Sequence, residues 1–96
     1  MIRHIVLFSA RNKADVERIR TGLMALATIP HSIHFEVSEN LRVDAFGNDI
    51  DVVVYGEFED EAALDAFKAH PTYSATTASV RPMRELRLSA DIVAAA

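Results

Sequence analysis

His4 is the residue of this chain whose type and surroundings best suit proton-transfer chemistry. It lies in the segment 2–9, whose other side chains are mostly apolar, and strand alternation places it on the same face as Val6 and Phe8. An imidazole in such surroundings can take or give a proton near neutral pH, which enolisation or aldol chemistry requires. The structural alternative is a core histidine held by a hydrogen bond. His4 is therefore the candidate catalytic residue.

His70 and Tyr73 stand on either side of Pro71, where one helix should end and another begin. The His70 ring can cap backbone groups at that junction, and we favour this role over catalysis because it answers a local backbone need. Tyr73 offers a phenol on the following helix. It can donate a hydrogen bond to a ligand carbonyl, or simply anchor that helix.

The sequence predicts neither a metal site nor a cofactor. His31 and His34 are three residues apart on a turn that enters a strand, where this spacing does not set two side chains together. The three glycines form no glycine-rich loop for a nucleotide phosphate, and no nucleophile-elbow motif frames a serine or threonine. The acids at 49, 51, 57 and 59–61 are interpreted as solvated groups or helix caps.

Composition narrows the class of protein and its partners. Fourteen acids outnumber ten Lys and Arg residues, for a net charge of −4, and the arginines are dispersed along the sequence, so no nucleic-acid partner is expected. The chain has no cysteine, which excludes disulfides and suits a cytoplasmic location. The apolar run at the N-terminus is too short for a signal peptide or a membrane span, so no membrane partner is expected.

The hydrophobic pattern predicts one α+β domain over residues 1–96. Strands are predicted at 2–9, 33–38, 50–58 and 83–91, and helices at 12–29, 60–70 and 71–80. This β-α-β-β-α-(short α)-β order is the split βαβ plan of ferredoxin-like folds, with a four-stranded antiparallel sheet.

The first strand also predicts a second copy of the chain. Ile5 and Leu7 point away from the face that carries Val6 and Phe8, and the predicted helices can cover only one face. Each Val, Leu, Ile or Phe left in water forgoes about 1.5 to 3 kcal/mol of possible burial. A second sheet related by two-fold symmetry is the simplest cover, so a homodimer is expected.

Several short motifs resemble a known family when they are taken in order. They are His4-Ile5-Val6-Leu7-Phe8, Ile29-Pro30, and Phe58-Glu59-Asp60 leading to Leu64, Phe67 and His70-Pro71. Over nearly the whole chain this order resembles the stress-responsive dimeric α/β-barrel (Dabb) domain family. The resemblance implies a ferredoxin-like subunit, a dimeric α/β barrel with facing sheets, and a cavity inside or beside the barrel. The family and related dimeric barrels include plant stress proteins, a polyketide cyclase, monooxygenases and lactone isomerases.

The cyclase type in this family uses three functional groups, and this chain retains one of them. His4 matches the histidine on the first strand, whereas Phe67 replaces a tyrosine and Tyr73 replaces a histidine. The cyclase reaction itself is therefore not expected in its usual form. Tyr73, Phe67, Val54 and His70 are the expected ligand-binding residues.

Two functions follow from these expectations. The first is a small enzyme, without a cofactor, that uses His4 to transfer a proton on an aromatic, lactone or polyketide-like molecule held in an apolar pocket. The alternative is a non-catalytic dimer that binds a ligand or has a structural, stress-associated role. A cofactor-free monooxygenase is a third reading, disfavoured because the chain has no tryptophan and no obvious activating cluster.

Overall fold

The computed structural model of the chain describes residues 1–95. Its elements, in order, are β1 (Ile2–Ala10), α1 (Val16–Leu23), β2 (Ser32–Glu39), β3 (Val52–Phe58), α2 (Glu61–Ala69), α3 (Pro71–Val80) and β4 (Arg84–Val93). The strands form one antiparallel sheet in the order β2-β3-β1-β4. The predicted ferredoxin-like split βαβ plan is confirmed.

Asn12 caps the 3-10 turn at Lys13–Asp15 that leads into α1, and Asp60 caps α2. Asn12 Oδ1 accepts from Ala14 N at 3.0 Å, and Asp60 Oδ1 accepts from Ala63 N at 2.8 Å. The first helix is shorter than predicted, because 3-10 turns at Lys13–Asp15 and Met24–Thr28 replace its two ends. Within residues 1–95, no helix has both the length and the apolar character needed to cross a membrane.

The helices lie over only one face of the sheet, mainly over β1, β2 and β3. Val6 and Phe8 are buried on that face, together with Val54 and Phe58 of β3. The opposite face, called here the open face, has an apolar part on β1, β3 and β4 and a polar part on β2. By strand register the apolar part carries Ile5, Leu7, Val53, Tyr55, Leu86, Leu88, Ala90 and Ile92, whereas Arg3, Glu57, His34, Glu36 and Ser38 are the polar residues of this face.

Two strands depart from the predicted pattern. The register of β2 shifts between Ser32 and His34, so Ile33 lies in an irregularity and is exposed, whereas Phe35 and Val37 pack against the core. The third strand begins at Val52 rather than at residue 50. Just before it, the N–H of Asp51 donates to the carbonyl of Phe8 at 2.8 Å and turns this segment inward.

Asp51 is a buried structural carboxylate, which corrects its interpretation as a solvated or capping acid. It accepts hydrogen bonds from the Ala10 N–H at 2.7 Å, from Lys13 Nζ at 2.7 Å and from the Arg42 guanidinium. Burial by itself raises the pKa of the Asp51 carboxyl, but these hydrogen bonds outweigh burial and hold the pKa below its usual value. Asp51 thereby joins the end of β1 to the connection that precedes β3.

We expect Asp51→Asn to lower the free energy of unfolding by about 1 to 3 kcal/mol at neutral pH, because the buried Ala10 N–H and the charged groups of Lys13 and Arg42 lose an ionised acceptor. The difference from wild type should shrink as the pH falls below about 3.9 and through the lowered pKa of Asp51, since the native carboxylate is then protonated. Urea unfolding at neutral pH and at a pH below about 3.9 measures the difference in stability between the two proteins. Asp49→Asn, two residues away and exposed, is the matched control and should change stability by less than about 0.5 kcal/mol. Equal effects of the two variants would contradict the assignment.

Candidate active site

His4 and Asp91 form a hydrogen-bonded pair on the helix-covered face. The two residues are direct partners in the register of β1 with β4, so their side chains project from the same face of the sheet. His4 Nδ1 lies 2.5 Å from Asp91 Oδ1. His4 is 2% exposed, whereas the Asp91 side chain is 38% exposed. The pair therefore connects a buried ring to the protein surface.

Aromatic rings surround the other sides of the His4 imidazole. The Phe58 and Phe67 rings meet it edge-on, with centroids 6.2 and 6.5 Å away, and lie 5.0 Å from each other. Gly56, the partner of His4 on β3, leaves room for this packing. A Cβ there would lie 3.0 Å from Phe58 and 3.1 Å from Phe35. The pocket around the imidazole is consequently apolar apart from Asp91.

Burial lowers the pKa of His4, because an imidazolium is poorly solvated among these rings. The hydrogen bond and negative charge of Asp91 oppose this effect, while the positive charges of Lys68 and Arg87 add to it. The net direction is downward from the usual value. His4 is thus predominantly neutral at neutral pH, the form that can accept a proton.

A groove of about 290 Å³ gives Asp91 its access to solvent. It lies between α2 and the end of β4, and we call it the β4 groove. Its lining residues are Ile2, Glu61, Leu64, Asp65, Lys68, Asp91, Ile92 and Val93. The groove therefore combines apolar walls with three carboxylates, Glu61, Asp65 and Asp91, and with the ammonium group of Lys68.

The other predicted site residues lie on the same side of the sheet as His4, in different settings. Phe67 is 0% exposed, with its ring centroid 5.6 Å from that of Tyr73, and Val54 is buried on β3. His70 accepts a hydrogen bond from the Thr72 N–H through Nδ1 at 3.1 Å and so caps α3. Tyr73 is half-buried and lines a second depression. His4, Phe67 and Tyr73 are brought together, whereas Val54 and His70 serve the core and the helix junction.

Asp91 and Lys68 were missed by reading the sequence. Alternation along β4 separates Asp91 from the leucines of the open face, but only the register with β1 places it opposite His4. Lys68 near the end of α2 carries no sequence signal beyond its charge. His31 and His34 belong to no metal cluster. Within residues 1–95, no three His, Asp or Glu side chains come together in a way that could hold a metal ion.

The sheet order and the single helical layer define a ferredoxin-like α+β protein, with a His–Asp pair beside a groove as its candidate site. The model of the family described as Stress responsive A/B Barrel Domain (Dabb) matches residues 2–94. The chain belongs to this family, and the family predicted from the motifs is confirmed.

Solved structures support the same fold. A dimeric ferredoxin-like protein of unknown function from Thermobifida fusca is 28% identical, with a TM-score of 0.81 over 97% of this chain and 90% of that one. A Dabb family protein with a ferredoxin-like fold from Mesorhizobium loti is 25% identical, with a TM-score of 0.83 over 99% and 97%.

A putative antibiotic biosynthesis monooxygenase from Nitrosomonas europaea is 16% identical, with a TM-score of 0.79 over 98% of both chains. Likeness at this identity concerns the fold alone. No match was found among curated protein sequences.

We expect the His4 ring to titrate below its ordinary value of about 6.5, and to titrate lower still in Asp91→Asn, because the variant loses the charge that opposes burial. Histidine NMR titration measures this, with the His4 signal assigned by its disappearance in His4→Gln. A lowered native pKa also means that the stability given by neutral His4 is complete above about 6.5 and is lost as the pH falls through the native value. An unchanged or raised pKa in Asp91→Asn would contradict the role of the pair.

Proposed function

We propose that two copies of this chain pair through their open faces, and that each copy uses His4 to transfer a proton on an aromatic, lactone or polyketide-like molecule. The hydrogen bond between buried His4 and partly exposed Asp91 is the observation that carries the catalytic part of the proposal. We further propose that residues 1–96 act as a single domain in the cytoplasm, without nucleic-acid or membrane partners and without a cofactor.

The open face supports the dimer. Leu88 is 51% exposed and Ile92 46% exposed, beside the half-buried Ile5 and Leu7. Burying one such side chain contributes about 1.5 to 3 kcal/mol, and two-fold symmetry counts each contact twice. The relative from Thermobifida fusca is itself described as dimeric. A second sheet is thus a suitable cover for this face.

The His4–Asp91 geometry suits a general base. A carboxylate can only accept a hydrogen bond, so the hydrogen of the neutral ring resides on Nδ1 and the lone pair on Nε2. Nε2 can then take a proton from a carbon next to a ligand carbonyl, leaving an enolate. Asp91 stabilises the resulting imidazolium, and the proton returns to the ligand when the enolate collapses. Lys68 places a positive charge in the groove beside the pair, which favours the enolate, whereas Glu61 and Asp65 in the same groove oppose it.

The remaining predicted residues take supporting roles in this proposal. Phe67 and Tyr73 provide an aromatic wall, Val54 the apolar floor beneath it, and His70 the cap that fixes α3. Since Phe67 and Val54 are closely packed, a ligand reaches them only if α2 moves away from the sheet. The partly open β4 groove is the proposed entry.

The same packing favours a second candidate function. His4 is 2% exposed and Phe67 is fully buried, which also suits a histidine that only holds the core of a non-catalytic, stress-associated dimer. In that case Asp91 serves to satisfy the imidazole. The two functions differ in whether His4 has any effect on a bound molecule.

We expect the wild-type chain to sediment as a dimer and Leu88→Lys to shift it towards a folded species of 10.6 kDa, because the ammonium cannot be buried between two sheets. Met24→Lys is the matched control, since Met24 is 47% exposed on the helical side. Analytical ultracentrifugation reads the mass and circular dichroism confirms folding. A monomeric wild type, or equal dissociation of both variants, would remove the proposed interface.

We expect wild type to accelerate the exchange of acidic C–H protons of aryl ketone and lactone probes into deuterated water, followed by NMR. His4→Gln should lower the exchange rate by about 10² to 10⁴-fold, because it removes the general base. Asp91→Asn should lower it less, because the ring remains but its orientation and charge support are lost.

His31→Asn is the control for this experiment, because His31 is exposed on a turn at positive φ, a conformation that asparagine tolerates. Its exchange rate should equal that of wild type. If wild type binds a probe, as seen by native mass spectrometry, yet exchanges its protons no faster than His4→Gln, the non-catalytic function is the correct one.

A further inference from the structure

The fold brings together four arginines that are dispersed in the sequence. Arg81, Arg84 and Arg87 line a depression of about 280 Å³ with Tyr73 and Thr77. An adjoining depression of about 420 Å³ is lined by Arg11, Arg81, Arg84, Arg87 and Glu85. These two depressions share three arginines, and we call the group of four the arginine cluster. It creates a local cationic surface on a protein whose net charge is −4.

Acidic side chains near the arginine cluster neutralise little of its positive charge. Glu85 is the one acidic residue lining the two depressions, and its contact with Arg11 is a long, exposed ion pair of 3.8 Å. Within residues 1–95, Arg81, Arg84 and Arg87 form no ion pair. Burial and the charges of Arg87 and Arg81 lower the pKa of Arg84, which reports their mutual repulsion.

A structural role accounts for only part of the cluster. Arg81 follows the last turn of α3, where a cation interacts favourably with the helix dipole. Arg84 and Arg87 lie on β4, so they do not gain from the dipole of a helix that ends at them. Arg87 projects to the helix-covered side, because it is paired with Phe8 in the register of β1 with β4. Like charges repel, so two half-buried arginines on one strand gain no stability from each other.

Hydrogen-bond donors converge on the same depression from two elements. Arg84 and Arg87 of β4 line it together with Tyr73 of α3 and Arg81 at the end of α3. Planar guanidinium groups match the paired oxygens of a carboxylate or phosphate. A phenol supplies an additional neutral donor. The depression therefore has the chemistry of an oxyanion site.

We propose that Arg84, Arg87 and Tyr73, assisted by Arg81, bind the carboxylate or phosphate group of a small molecule. This binding site goes beyond the proton-transfer function and does not require it. The site also lies on the same side of β4 as Asp91, four residues along the strand and hence about 14 Å away. A single ligand can place its anionic group at the cluster and its apolar body towards His4. That shared use of one ligand rests on the proposed function, whereas the anion site does not.

Titration of the full chain with benzoate and, separately, with inorganic phosphate tests the site, using amide chemical shifts at low ionic strength. We expect saturable shifts at Tyr73, Thr77, Arg84 and Arg87 with at least one of the two anions. Benzoate alone would indicate a carboxylate ligand, and phosphate alone a phosphorylated one. Arg84→Gln and Arg87→Gln should each weaken binding about tenfold, as loss of one charge-assisted contact implies.

Arg18→Gln is the matched control, because Arg18 is exposed on α1 and pairs with Asp15 at 3.2 Å, away from the arginine cluster. It removes the same charge and should leave the affinity within about twofold. His4→Gln should bind the anion as wild type does, which separates this site from the proton-transfer proposal. Absence of saturable shifts with both anions, or equal weakening by Arg18→Gln, would overturn the site. If Arg84→Gln does not fold, Arg87→Gln and the wild-type shifts decide the outcome.

Discussion

The rest of the structure depends on one constraint. The sheet carries apolar side chains on both of its faces, whereas the helical layer covers only one face. Alternation along β1 sends Val6 and Phe8 beneath the helices and leaves Ile5 and Leu7 on the open face. The helical side can consequently form a complete core within a single chain. The open side cannot, and its apolar groups are available for association. The proton transfer and the dimer contact that we propose would therefore use opposite faces of the same four strands.

His4 occupies an unusual place in this division, because it is a titratable group on the face that is otherwise closed and apolar. Burial among Phe58 and Phe67 penalises its charged form, and Asp91 supplies the one polar contact that keeps it satisfied. An apolar side chain at this position would fill the core without needing a partner. A pair with one buried member is weak evidence for stability. The groove that exposes Asp91 to solvent is consistent with the proposed proton transfer.

More of the fold than of the candidate site could be predicted from the sequence. Periods of two and three to four residues predicted the strands and helices, and Asn12, Asp60 and Pro71 marked helix starts that the structure retains. The sequence patterns did not predict which residues of distant segments pair with each other. Alternation assigns Asp91 to a face, but the register of β4 with β1 decides that it meets His4 rather than Val6. Asp51 appeared to be a surface acid because its partners, Lys13 and Arg42, converge on it only after the chain folds.

The position of β4 explains why the candidate chemistry gathers along one edge. β4 is an outer strand that pairs with β1 alone, and the helices lie mainly over the other three strands. Its helix-side residues are thus spared full burial, which is why Arg87 and Asp91 can carry charge beside a closed core. A central strand could not hold two charged side chains at such positions without partners for both. The edge strand therefore offers polar groups with solvent on one side and the apolar core on the other, the combination that binding of a partly apolar, partly charged molecule requires.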